Sequence, residues 1–137
     1  MSVFTDAELV YLRGQRLGRI ATADAGCQPH VVPVGFRYNP DTDTLDVGGH
    51  NLPSSKKWRD VAANALVAFV VDDLASVTPW RPRGIEVRGR GELANHGGEA
   101  FGPGWAPEVI RIHPRRIIAW GLEQDARHPT RRTVGTP

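Results

Sequence analysis

A single cysteine, Cys27, in 137 residues means that no intramolecular disulfide can form, and one thiolate cannot by itself make a zinc site. A reducing cytoplasm suits such a chain. Long apolar runs are also missing. No stretch approaches the roughly eighteen residues of a membrane span, and the N-terminus lacks a cationic start followed by an apolar run and a cleavage site. The chain is therefore expected to be soluble, unexported and cytoplasmic, with no membrane partner. An excess of one charge is lacking as well: 17 Lys+Arg against 15 Asp+Glu leave +2, too mild a surplus to imply nucleic acid as the partner. The catalytic signatures fail in turn. His30, His50, His96, His113 and His128 are scattered, with no HExxH and no acidic cluster at ligand spacing, so no metal site is expected. There is no GxSxG elbow for a serine nucleophile. Neither GxGxxG after a strand nor GxxxxGK[ST] occurs, which excludes the two common nucleotide folds. Cys27 falls in a turn, where an exposed stray thiol is the simplest reading.

What is abundant is turn chemistry: 15 glycines and 11 prolines favour many short strands over a helical bundle. One domain is expected over residues 1–122, with a charged tail at 123–137 that has only Val134 as an apolar anchor and is expected to be poorly ordered. Thr5-Asp6-Ala7-Glu8 has the form of a capping box, with Phe4 placed to staple onto Leu9 and Gly14 as the stop of a short helix. Strands are expected over Leu17–Ala23, His30–Tyr38, Thr44–Val47, Leu66–Val71, Gly84–Leu93 and Val109–Trp120. Pro33 and Gly35 interrupt the second of these, as an edge strand with a bulge or a backbone facing a ligand would require. The segment Leu74–Arg83 reads as a loop. Asn95–Pro107 is a longer glycine-rich loop, with Phe101 and Trp105 isolated within it. Six strands, tight turns and two short helices predict a mostly β fold, a small six-stranded antiparallel β-barrel.

The segment Gly48–Asp60 is the candidate working centre. Gly48 and Gly49 permit a sharp turn or a close approach, Ser54 and Ser55 can cap the helix that follows, and Lys56, Lys57 and Arg59 lie in its first turns. Cations at a helix start oppose the macrodipole, and a bound anion resolves that conflict. On this segment alone a solvated helix face explains the pattern equally well. With no catalytic constellation present, a binding site is the expected business of the chain. Lys56, Lys57 and Arg59 would hold phosphate, the Pro33 strand would offer backbone groups and apolar edges, and Trp80, Arg81 and Arg83 would stack on or clamp a planar anion. A phosphorylated planar cofactor suits that set and brings its own chemistry.

Five segments, spread over residues 4–122, resemble the flavin-binding split β-barrel superfamily of pyridoxamine 5′-phosphate oxidase, and within it the deazaflavin (coenzyme F-420)-dependent reductases. They are Leu17–Thr22, Pro29–Phe36, Ser55–Asp60, Gly84–Gly91, and Arg111–Arg116 with Trp120-Gly121-Leu122. The resemblance implies a homodimer with cofactor sites at the subunit interface and a small-molecule substrate. It also implies that the strand of His30, Val31, Val32, Pro33 and Val34 lies along the ring system, and that Lys57 binds the cofactor phosphate with help from Ser55, Lys56 and Arg59. His50 and Asn51 stand beside them, and Trp80, Arg81 and Arg83 are expected to reach the site, from the second subunit if not from their own. The arginine-leucine-histidine motif of the oxidase itself is absent, with only Arg127-His128 in the tail. Coenzyme F-420, whose acidic oligoglutamate tail suits surface arginines, is the expected cofactor. FMN, a tetrapyrrole-like ligand, and non-catalytic carriage or storage are the alternatives.

Overall fold

The computed structural model describes residues 1–123 and 125–135. Helix α1 (Asp6–Arg13) starts as its capping box dictates: the Thr5 side chain accepts from Glu8 N at 3.2 Å while Glu8 Oε1 accepts from Thr5 N at 2.9 Å. Gly14 ends it. Phe4 is buried and packs edge-on to Tyr38, 5.9 Å between centroids.

Six antiparallel strands follow: β1 (Leu17–Ala23), β2 (Pro29–Asn39), β3 (Thr44–Val47), β4 (Leu66–Ser76), β5 (Arg81–Ala94) and β6 (Val109–Trp120). They are ordered β3-β2-β1-β4-β5-β6, and β3 also pairs with β6, closing the barrel. Strand alternation puts Ile20, Val34, Phe36, Val47, Phe69, Val71, Ile85, Val87, Ile110 and Ile112 into one core. Asp46 is buried within it, accepting from Thr44, Asn39 and Arg111 at 2.9, 2.9 and 3.2 Å. Full satisfaction is what makes a buried carboxylate tolerable. Helix α2 (Lys56–Ala63) bridges β3 to β4 and is capped by Ser55, which accepts from Trp58 N.

Two expectations are corrected. The loop at 74–83 shrinks to a turn at 77–80, because β4 continues to Ser76 and β5 begins at Arg81. Asp72 and Asp73, which look like a strand stop, are held instead by Arg19 at 2.6 Å and by Arg83 at 2.7 Å. The tail expected to be poorly ordered contains β7 (Thr130–Thr133), antiparallel to Arg116–Ala119 of β6. Arg132 fastens it, donating to Val3 O at 2.7 Å and to both oxygens of Glu8, a carboxylate only 3 % exposed. Positions 124, 136 and 137 of that tail lie outside the described residues.

One stretch of the closed barrel is unpaired on one side, and that matters for the site. β3 pairs with β2 only from Phe36 to Asn39, so residues 29–34 of β2 pair on one side alone, with β1. The start of α2 and the loop between β5 and β6 lie at this same end. The turn at 77–80 lies at the other, with α1, since Tyr11 of α1 donates to Asp73 at 2.9 Å.

Candidate functional site

The two lysines at the start of α2 are not equivalent. Lys56 Nζ donates to Asp60 at 2.9 Å and lies 3.9 Å from Asp24. Asp60 also accepts from Thr22 Oγ1 of β1 at 2.8 Å. The Lys56 hydrogen bond, followed by that of Thr22 and the nearby charge of His30, holds the Asp60 carboxyl below the usual carboxylate range. Lys56 is thus a brace between helix and barrel. Lys57 makes no salt bridge among the described residues, and burial pushes its ammonium pKa below the ordinary lysine value. A half-desolvated cation without a carboxylate is a costly thing to fold around unless an anion completes it. Arg59 donates to Ser54 O at 2.8 Å, closing the turn before the helix.

The second part is the open edge of β2. Phe36 N donates to Arg16 O on the β1 side, and Gly35 O accepts from Gly48 N on the other. Backbone groups alternate along a strand, so those of Val31 and Pro33 point to the open edge, while those of His30, Val32 and Val34 turn to β1. Pro33 therefore lacks its N–H where no strand could use it. Side chains alternate too: Val34 is buried, Val32 packs against the core, and Val31 is 64 % exposed on the outer face. His30 pairs with Thr22 across the ladder and is near Asp60, which places α2 at the beginning of this edge.

At the far end of the edge stand two aromatic residues that look isolated in the sequence. Trp105 lies over Gly35, where an added Cβ would come within 2.8 Å of its ring, and Phe101 lies over Gly48 in the same way. The close approach that these glycines permit is to this chain's own rings. Phe101 and Trp105 stack at 4.7 Å and 22°, and His50 adds a third ring 4.9 Å from Trp105. His50 Nδ1 also bonds Gly104 O at 2.7 Å, and Ala106 N donates to Gly49 O at 2.9 Å. His50 thus fastens the loop, while Asn51 is exposed and accepts from the Ser54 hydroxyl at 3.2 Å.

The structure does not bring Trp80, Arg81 and Arg83 to these residues within one chain. β4 starts beside α2 and needs 11 residues to reach the turn, roughly 35 Å at about 3.3 Å each. Arg83 is occupied at that end by both oxygens of Asp73, at 2.7 and 2.9 Å, and lies over the Tyr11 ring. Trp80 is 66 % exposed, and Arg81 has no ion pair among the described residues. The Phe101–Trp105–His50 cluster was the feature missed by reading the sequence. Its signal was there in Gly35 and Gly48, but it paired with residues more than fifty positions away.

Fold and site together define a small split-barrel protein in which a strand edge stays open beside a cationic helix start. Residues 4–134 match the family model described as pyridoxamine 5′-phosphate oxidase, and the chain belongs to that family. It is 43 % identical over 122 residues, 89 % of this chain and 86 % of the relative, to the 5a,11a-dehydrotetracycline/5a,11a-dehydrooxytetracycline reductase of Streptomyces rimosus. The protein is an oxidoreductase. Its fold is similar to that of a conserved hypothetical protein of Mycobacterium tuberculosis (TM-score 0.69, 16 % identity, covering 89 % of this chain and 88 % of that one). It is also similar to an FAD-binding protein of Mycobacterium smegmatis (TM-score 0.59, 22 % identity, 87 % and 96 %). No helix among the described residues is long and apolar enough to cross a membrane.

Proposed function

We propose that the protein is a homodimeric reductase that uses reduced coenzyme F-420 to reduce an enone- or quinone-like small molecule. The observation that carries the reading is Lys57, a half-buried cation with no carboxylate partner among the described residues, at the start of a strand edge whose backbone polar groups lack a ladder. Those features fit a phosphorylated planar cofactor: the phosphate on Lys57, beside Ser55, whose own hydroxyl donates to Leu52 O at 2.6 Å, flanked by Lys56 and Arg59, and the ring along the backbone of Val31 and Pro33. The relative that reduces 5a,11a-dehydrotetracycline supports reduction of a conjugated acceptor. The Pro29–Val34 strand and the ending Trp120-Gly121-Leu122 resemble the deazaflavin branch, which favours the deazaflavin over FMN, and the missing arginine-leucine-histidine motif speaks against pyridoxamine phosphate as the substrate.

The chemistry such a cofactor supplies is hydride donation to an electron-poor carbon of the acceptor, with the acceptor's proton coming from water. The chain's own part is to hold, orient and exclude solvent. Lys57 fixes one end, β2 fixes the plane, and Lys56 with Asp60 and Thr22 holds α2 against β1. A second copy closes the site. The outer face of the sheet exposes Leu17, Val31 and Leu66 at 68, 64 and 62 %, and a partner packed there would cover them and carry its Trp80 and Arg81 toward this edge. Arg81 would then meet the acidic tail of the cofactor.

Fluorescence titration with coenzyme F-420 and with FMN tests the reading. Stoichiometric quenching of the deazaflavin is expected. Stoichiometric FMN binding with no deazaflavin binding overturns it.

A further inference from the structure

We propose that Trp105 is a specificity-determining residue: its six-membered ring forms the wall, at the acceptor end of the β2 edge, against which a flat conjugated substrate packs. The inference rests on the proposed function above and adds a substrate class to the same site. Four observations carry it. Trp105 lies on Gly35, two residues along the outer face of β2 from Pro33, and contact is close enough that a Cβ at Gly35 would come within 2.8 Å of the indole Cη2. Along β2 it is therefore at the opposite end of the open edge from His30 and α2, where the phosphate is held. The ring is fixed in place by Phe101 at 4.7 Å and His50 at 4.9 Å. The loop carrying it is fastened at its base, with Gly98 N donating to Pro107 O at 2.8 Å and Ala106 N to Gly49 O at 2.9 Å.

Phe101 and Trp105 are nevertheless only partly buried. Ordering three rings and a loop with left-handed glycines at Gly97, Gly102 and Gly104 has a conformational cost, and a core function would have buried the rings fully. Their apolar edges and the bare Gly35 backbone offer no charged group to the acceptor. Such a wall selects flat, extended, uncharged π-systems over small or phosphorylated ones. His50 acts through Trp105 and is a positioning residue.

Steady-state reduction of menadione and of 2-cyclohexen-1-one by the enzyme with reduced coenzyme F-420 tests the proposal in wild type, Trp105→Ala, Trp105→Phe and His50→Ala. Trp105→Ala is expected to raise KM for menadione about tenfold, with kcat, the KM for cyclohexenone and the Kd for the cofactor each within about twofold of wild type. Trp105→Phe and His50→Ala are expected to fall between. An equal rise in KM for both acceptors overturns the proposal, as does a weakened cofactor Kd with menadione KM unmoved. Should no cofactor support turnover, the proposed function itself has failed. The wall is then tested by equilibrium dialysis of menadione: a Kd about tenfold weaker in Trp105→Ala, with Trp105→Phe between it and wild type, supports it, and wild-type affinity in Trp105→Ala, or no binding to wild type, overturns it.

Discussion

Lys56 and Lys57 are neighbours of the same residue type with opposite roles, and substitution separates them. On the proposed site Lys57→Ala would remove one charge-assisted phosphate contact, about 1.5–3 kcal/mol, so the cofactor Kd is expected to weaken roughly ten- to a hundredfold in a fluorescence titration while thermal stability stays unchanged or rises. Lys56→Ala leaves Asp60 with Thr22 as its remaining partner, so the main loss is in Tm, roughly 5 °C. Their pH dependences differ too. Asp60 titrates lower in the folded chain than unfolded. Its contribution to stability is therefore complete above the unfolded value near 3.9 and is lost as pH falls through the folded pKa, and in Lys56→Ala the acid-unfolding midpoint should move up. Lys57 has a lowered pKa because burial disfavours its charge. Phosphate affinity that needs the ammonium is lost as pH rises through that lowered value, so Lys57→Arg should extend cofactor binding to higher pH. Identical alkaline limbs in the two proteins would show that Lys57 is not the phosphate ligand.

At the scale of elements, β7 is the clearest case of structure that the sequence conceals. Thr130-Arg131-Arg132-Thr133 has no apolar residue to mark a strand, because it is an edge strand whose outward charges suit exposure. Its anchor, Arg132 on Glu8, spans 124 positions. Arg132→Ala leaves that buried carboxylate short of its cation, at a cost of about 2 kcal/mol after allowance for partial exposure. Tm by calorimetry is expected to drop roughly 8 °C. By contrast α1, β1, β2, β3 and α2 were legible to within a residue or two, because capping boxes, period-two alternation and turn residues are local signals. The β4–β5 hairpin was read too short, since Asp72 and Asp73 act as strand residues only once Arg19 and Arg83 are opposite them. The site shows the same division. Ser55 and Lys57 could be singled out as candidates from helix-start chemistry, but that Lys56 is spoken for by Asp60, that Arg83 is held by Asp73, and that Gly35 lies under Trp105 depends on contacts between elements. That last contact gives its own prediction. Gly35→Ala forces its Cβ against Trp105 and should cost about 1–3 kcal/mol by chemical denaturation, whereas in a Trp105→Ala background the same change should be nearly neutral.

At the scale of the molecule, the outer sheet face is where the proposed second copy would complete the site. Cross-strand rows run Val31–Ala21–Ala68–Arg88 and Pro33–Arg19–Val70–Glu86. The two charged ends of these rows, Arg88 and Glu86, pair with each other at 2.8 Å, and Arg19 pairs with Asp72 at 2.6 Å, so the apolar centre between them is unbroken by any free charge. Small residues at Ala21 and Ala68 make that centre flat and allow a second sheet to approach closely, and the face adjoins the exposed side of Val31 on the proposed cofactor strand. Ala68→Arg places a long cation in the middle of this face without touching Lys57, Ser55 or the barrel core. A monomer by light scattering, with an unchanged circular dichroism spectrum and a deazaflavin affinity reduced at least as far as in Lys57→Ala, is the expected result. It follows because a dimer-completed site loses the partner's wall, and with it the exclusion of water from the ring and phosphate. A stable dimer, or a monomer that binds the cofactor with wild-type affinity, would refute the interfacial site while leaving the anion-binding role of Lys57 intact.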